Sequence, residues 1–218
     1  MTLARSLFER LGWAIPDRLK DAAEINFARD KYLVATGWAR SRREGMAVDI
    51  EGRPLPWYTY PAIDFLTPRI PADARVFEFG MGNSTLWWSA RAASVAACET
   101  DQGWFDRIAS VMPANVEPML RAVDSADYPR AAADRGERFT ILVIDGRRRV
   151  ECARASVEAL APEGVVVWDN SERERYAEGL AFLHARGFRQ LDFWGLGPLN
   201  LRAWCTSVLY RPGNCLGI

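Results

Sequence analysis

Five short apolar runs, at residues 75–79, 94–99, 116–123, 139–145 and 165–169, are separated mostly by segments suited to helices. Two further runs, 190–194 and 206–210, follow with only a Gly- and Pro-containing loop between them. Parallel strands need a crossover of about a dozen residues or more, so regular alternation of strand and helix predicts a parallel sheet covered on both faces. The helical pattern is plain at 150–160, where Val150, Ala153, Val157 and Leu160 share a face, and weak only at 124–136. The last two runs are joined too directly for a parallel pair and predict an antiparallel one. The expectation is an α/β fold with a seven-stranded, mostly parallel sheet and an antiparallel last strand.

Upstream, Leu3, Leu7 and Leu11 are spaced for one helical face, Pro16 breaks the chain, and a second helical pattern runs from about Asp17 to Ala35. Residues 37–56 carry charges and glycines and read as a loop, and a short helix over 58–66 precedes the first strand. With 218 residues and 49% hydrophobic content, one sizeable core is expected. The division expected is a helical extension and loop at 1–56 and a main domain at 57–218, with the N-terminal helices offering a homodimer contact. Basic and acidic residues balance at 28 each, which gives no field to concentrate nucleic acid or an anionic membrane. Neither partner is expected. The cysteines at 98, 152, 205 and 215 are too dispersed for a zinc site and read as reduced thiols. No apolar run reaches the ~18 residues of a membrane span. The N-terminus does not read as a secretory signal, and a cytoplasmic location is expected.

The first strand reads VFEF and leads into GMGNSTLWW. Ligands of open parallel sheets bind beyond the carboxyl ends of the strands, which is where Gly80, Met81 and Gly82 fall. Glycines there let a ligand approach the backbone, and Asn83 and Ser84 are placed to cap the following helix, whose free amides attract anions. Glu99 ends the next strand roughly 20 residues on, the offset of a ribose-binding carboxylate. A dinucleotide fingerprint would need a third glycine where Thr85 stands. Glu78, just before the turn, suits instead a ligand with a positive centre, such as the ammonium of an amino-acid tail.

The run from Glu78 through Gly80 and Gly82 to Ser84 resembles the first motif of the class I S-adenosylmethionine-dependent methyltransferases, acid-x-G-x-G-x-[ST]. The likeness spans residues 76–211, including the final antiparallel strand, and implies a Rossmann-like sheet with helices on both faces. It implies that Glu78, Gly80, Gly82, Asn83 and Ser84 hold the methionine end of the cofactor and that Glu99 holds the ribose. Asp124 would lie near the adenine amine, with Trp104 either stacking on the base or serving the core.

The fourth and fifth strands read FTILVIDG and VVVWDN, so Asp145, Asp169 and Asn170 end at the same sheet edge. This pattern is similar to the metal-dependent O-methyltransferases of the catechol and caffeoyl type, which implies a Mg2+ ion on Asp145, Asp169 and Asn170. A hard cation takes oxygen ligands and would lower the pKa of a bound hydroxyl. The position where that family carries a lysine base is Arg148 here, and arginine cannot act as one. Without metal, the same three residues would stand beside the acceptor as hydrogen-bonding groups, with Asp145 also near the cofactor. Arg147, Arg148 and Arg149 sit where a helix starts and oppose its dipole, so with Arg173 and Arg175 they are candidates for binding an anionic acceptor. Trp57, Tyr58 and Tyr60 stand where a substrate lid is placed in such folds, while Trp168 and Trp194 read as core.

The reading this supports is methyl transfer to an oxygen of a small-molecule acceptor. Alternatives are an N-methyltransferase, a non-catalytic S-adenosylmethionine-binding or scaffold protein, and a NAD-dependent oxidoreductase. The acceptor's identity is not in the cofactor motif.

Overall fold

The computed structural model describes residues 16–218. The Leu3, Leu7 and Leu11 pattern lies outside the described residues. Helix α1 (Asp17–Arg29) continues through a wider turn at Asp30–Val34, as the second helical pattern predicts, but buries none of its side chains.

Seven strands form one sheet: β1 (Arg75–Phe79), β2 (Ser94–Glu99), β3 (Val116–Leu120), β4 (Phe139–Ile144), β5 (Leu160–Asp169), β6 (Arg189–Gly195) and β7 (Trp204–Tyr210). Their order is β3-β2-β1-β4-β5-β7-β6. The first five pair in parallel, and β7 is antiparallel to both β5 and β6. Strand order reverses between β1 and β4, and a crevice is expected beyond the carboxyl ends at such a reversal.

The pleat sorts side chains between two cores. Val76 of β1, Val143 of β4 and Val167 of β5 face a cluster that includes Trp87 and Trp88. Phe77, Leu142 and Trp168 face the opposite one, with Leu183. Each such fully buried aliphatic or phenylalanine side chain contributes about 1.5–3 kcal/mol relative to exposure. By the same alternation Glu78 shares a face with Val76, although it is a carboxylate with no solvent exposure.

The remaining helices are α2 (Trp38–Glu44), α3 (Tyr60–Leu66), α4 (Asn83–Ser89), α5 (Gln102–Ala109), α6 (Asp127–Arg130), α7 (Arg149–Ser156) and α8 (Ala177–His184). Two expectations need correction here. Residues 37–56 are not simply a loop: α2 starts after Gly37, whose φ of 82° closes the preceding helix, and Val48 and Pro54 form an antiparallel bridge beyond it. Buried Ser41 ties the two parts together by donating to the carbonyl of Val48 and accepting from its amide. Trp194 is not core but 59% exposed, because β6 is an edge strand and only its other face is covered, where Phe193 meets Phe65 at 4.6 Å.

Candidate active site at the carboxyl edge of the sheet

Gly80 follows β1 with φ of 100°, a conformation that side chains rarely adopt, and donates its N–H to the carbonyl of Cys98 in β2. The helix cap is not built by Asn83 and Ser84 as the sequence predicts. Gly82 is the capping position, and its N–H donates to the Thr85 hydroxyl at 3.1 Å. That hydroxyl in turn donates to Oε2 of Glu78 at 2.5 Å. Thr85, the residue standing where a dinucleotide fold has its third glycine, thus locks the turn to the buried acid. Asn83 instead donates to the carbonyl of Ala47 at 2.7 Å, fastening residues 45–57 over the turn.

Oε1 of Glu78 is fully buried and has no hydrogen-bond partner. Burial pushes the Glu78 carboxyl up to about 8, with Asp145 and Glu99 adding to the rise and the nearby Ser84 and Thr85 hydroxyls opposing it. Glu99 stands on the other side of the turn. Its Oε2 accepts from the N–H of Met81 at 3.1 Å, and Oε1 accepts from the amides of Thr100 and Asp101. Trp104 donates its indole N–H to the Met81 carbonyl at 2.6 Å, so its ring packs on the turn. A cavity of about 560 Å³ opens here, lined by Gly80, Met81, Ser84, Glu99 and Asp145 among others. Asp124 is exposed after β3 and is not among its lining residues.

The fourth and fifth strands bring their acids together as expected. Ile144 pairs with Trp168, which sets Asp145 opposite Asp169 at the sheet edge. Both line a second cavity of about 380 Å³, together with Asn170 and Trp57. What lies between them is a guanidinium. Arg149, nearly buried, donates to Oδ1 of Asp145 at 2.8 Å, to the carbonyls of Asp145 and Gly146, and to the carbonyl of Asp169. Oδ1 of Asp169 accepts from the Trp204 indole at 2.8 Å and from the Thr206 hydroxyl at 2.6 Å. Burial raises both carboxyls, Asp169 to about 8 with Asp145 as the next cause.

This arrangement gives no support to the magnesium expectation for Asp145, Asp169 and Asn170. A fixed arginine already neutralises Asp145, and one Asp169 oxygen is saturated by neutral donors. Among the described residues no three His, Cys, Asp or Glu side chains are grouped to hold a metal. The donor set fits hydrogen-bonded carboxyls, not a cation site.

The backbone around the cleft is strained. Among the described residues, three that are not glycine have positive φ: Arg148 (45°), Asn170 (53°) and Leu199 (71°). They follow β4, follow β5 and lie in the β6–β7 connection, and each borders a cavity at this edge. Such residues cost about 1–3 kcal/mol each and cluster at functional sites. The roof is held from the same places: Arg42 donates to the Leu199 carbonyl and Trp38 to that of Asn200. Of the three aromatics expected as a lid, only Trp57 is half exposed and lines the cleft. Tyr58 and Tyr60 are core, and Tyr58 accepts from the Trp88 indole.

Two elements of the site escape sequence reading. Gly146 lies so close to β1 that a Cβ would meet the Tyr128 hydroxyl at 2.3 Å and the Phe79 carbonyl carbon at 3.1 Å. Arg149 looks like one of three solvated arginines. The sole signal was its sign: a cation in the first turn of α7 opposes the helix dipole and needs another use.

No family model and no curated protein matches the sequence. Solved structures do match the fold. Precorrin-6y C5,15-methyltransferase from Geobacter metallireducens superposes with a TM-score of 0.56 at 14% identity, covering 78% of this chain and 96% of that one. Precorrin 8w decarboxylase from Methanobacterium thermoautotrophicum gives 0.53 at 17% identity, covering 77% and 97%. An rRNA methylase from Streptococcus thermophilus gives 0.50 at 15% identity, covering 69% and 94%. None of the three is named for a catechol or caffeoyl substrate. One acts on rRNA, so the fold itself does not carry the exclusion of nucleic acid expected from balanced charge. No helix among the described residues is long and apolar enough to cross a membrane. The chain has the Rossmann-like fold of these solved structures.

Proposed function

We propose that this chain is an S-adenosylmethionine-dependent methyltransferase acting on an oxygen of a small molecule. The observation that carries the reading is Glu78: a fully buried carboxyl with one orphaned oxygen, beside a turn whose Gly80 holds a backbone conformation that side chains rarely adopt. Leaving a buried acceptor unpaired costs about 1–3 kcal/mol, which a ligand's ammonium would recover. Glu99, already oriented by the Met81, Thr100 and Asp101 amides, is the acceptor for ribose hydroxyls. Asn83 and Ser84 complete the methionine end, and Asp124 remains the candidate beside the adenine, needing the β3–β4 connection to close toward it. The bound cofactor would supply an electrophilic methyl group on a sulfonium.

In this reading Asp169 is the general base. Its Oδ1 is held by Trp204 and Thr206, and no protein donor among the described residues bonds Oδ2, which takes the proton of the acceptor hydroxyl. A carboxyl raised to about 8 matches that task near neutral pH. Asp145 positions Arg149, which fixes the carbonyl ends of β4 and β5, and Asn170 lines the acceptor cavity. Proximity and alignment supply most of the acceleration, since the donor arrives activated. Homodimerisation through the N-terminal helices belongs to the same proposal, because Ile25 and Phe27 of α1 are exposed apolar side chains.

Titration calorimetry with S-adenosylhomocysteine and with NAD tests the cofactor assignment. Saturable binding of the first and none of the second is expected; binding of NAD alone would refute it. Isotope-labelled methyl transfer to oxygen rather than nitrogen acceptors then tests the reaction.

A further inference from the structure

We propose that the acceptor cavity takes a flat molecule bearing an oxyanion, paired with Arg173 and lying against Trp57 and Trp204. The proposal rests on the methyl-transfer reading for its chemistry, but the anion site is argued from the cavity itself.

Five arginines surround this edge of the sheet, and the structure separates them by what they already bind. Arg149 spends its guanidinium on Asp145 and on three backbone carbonyls. Arg148 donates to the carbonyls of Val123 and Ser125 and lies 3.4 Å from Glu151. Both are structural. Arg173 is different. Its nearest carboxylate is Glu172, 3.8 Å from Nε, and the other oxygen of Glu172 accepts from the Cys205 amide. Arg173 borders both the cofactor-sized cavity and the acceptor cavity. Arg147 and Arg175 line the first cavity, also without a carboxylate partner among the described residues.

The charge count at the cleft favours an anion. Arg149 neutralises Asp145, and burial disfavours the charged form of Asp169. Arg173 lowers the Asp145 carboxyl through space, but its one ion pair among the described residues is the long contact to Glu172, and it stands beside a partly enclosed space. An oxyanion can take a guanidinium's two parallel N–H donors, and such pairing strengthens as water is excluded. The walls supply the flat shape. Trp204 is fixed because its indole N–H is committed to Asp169, and Trp57 stands 48% exposed across the opening. A volume of about 380 Å³ lies at the small end of ligand sites and suits a single-ring molecule.

The test is calorimetry with hydroxybenzoates, the matching neutral hydroxybenzamides and phenyl phosphate, each run with and without S-adenosylhomocysteine. The acids are expected to bind about tenfold or more tighter than the amides. Arg173→Ala should bring that ratio close to one, and Arg173→Lys should keep part of it. Trp57→Ala should weaken acid and amide alike. The phenyl phosphate arm shows which oxyanion the site prefers. Equal affinity for acids and amides, binding of neither, or an acid preference that survives Arg173→Ala would overturn the proposal. Acid preference in a protein that does not bind S-adenosylhomocysteine would keep the anion site and overturn the methyl-transfer reading instead.

Discussion

The two halves of the cleft are built on opposite principles. At the ends of β1 and β2 the site comes from one contiguous stretch and the next strand, and it holds an acceptor, Oε1 of Glu78, with nothing to accept from. At the ends of β4, β5 and β7 most polar groups satisfy one another, with Oδ2 of Asp169 the exception among the described residues. Asp145 is paired by Arg149, and Asp169 is held by Trp204 and Thr206, 35 and 37 residues away. On the proposed reading the first half is completed by a ligand, while the second is a largely preformed frame. A buried polar group left open stores affinity, whereas a closed network stores rigidity.

That difference can be broken most forcefully at Arg149. Arg149→Ala strands Asp145 beside three unsatisfied carbonyls, and chemical denaturation should show a loss of about 3–5 kcal/mol. Arg149→Met, which keeps the bulk, distinguishes lost charge from lost packing. If either variant unfolds like the parent, the frame is not held as described.

Asp169→Asn keeps an acceptor for Trp204 and Thr206 but removes the proposed base. It should lower kcat by about 10²–10⁴-fold with little change in S-adenosylhomocysteine affinity. On the proposed reading kcat of the parent protein should rise with pH and level off above about 8, because only the ionised carboxyl accepts a proton. A pH-independent kcat would remove Asp169 from that role.

How much of this was legible in the sequence divides along the same line. All seven strands were visible: the parallel ones because buried strands leave continuous apolar runs, and β6 and β7 because they are joined too directly for a crossover. The glycine turn, Glu78 and Glu99 were legible because a local turn constrains local residue types. Arg149 was not, since its partners converge only through the pairing of β4 with β5. The helix at 38–44 was hidden by its charged composition, WARSRRE. Trp194 was misread because alternation in an edge strand does not say whether both faces are covered.

Glu78→Gln sharpens the contrast at the open half. The variant keeps an acceptor for Thr85 but cannot ionise, so S-adenosylhomocysteine should bind about 10–100-fold more weakly. Stability should move the other way. A carboxyl raised in the folded state favours the protonated form, so the parent loses stability as pH rises from the ordinary carboxylate range to about 8. Glu78→Gln should flatten that decline in thermal melts from pH 5 to 9. The smallest expected effect is that of magnesium: adding it, or removing it with EDTA, should leave kcat and Tm unchanged. Metal-dependent turnover would mean that Arg149 moves out of the cleft.

The most direct measurement is the proton balance of cofactor binding. S-adenosylhomocysteine titrated at pH 7 in buffers of different ionisation enthalpy should show a proton released on binding, as the ligand's ammonium draws Glu78 into its charged form. That release should be absent in Glu78→Gln. Binding with no proton released, or with the same release in the variant, would contradict the pairing on which this account of the site is built.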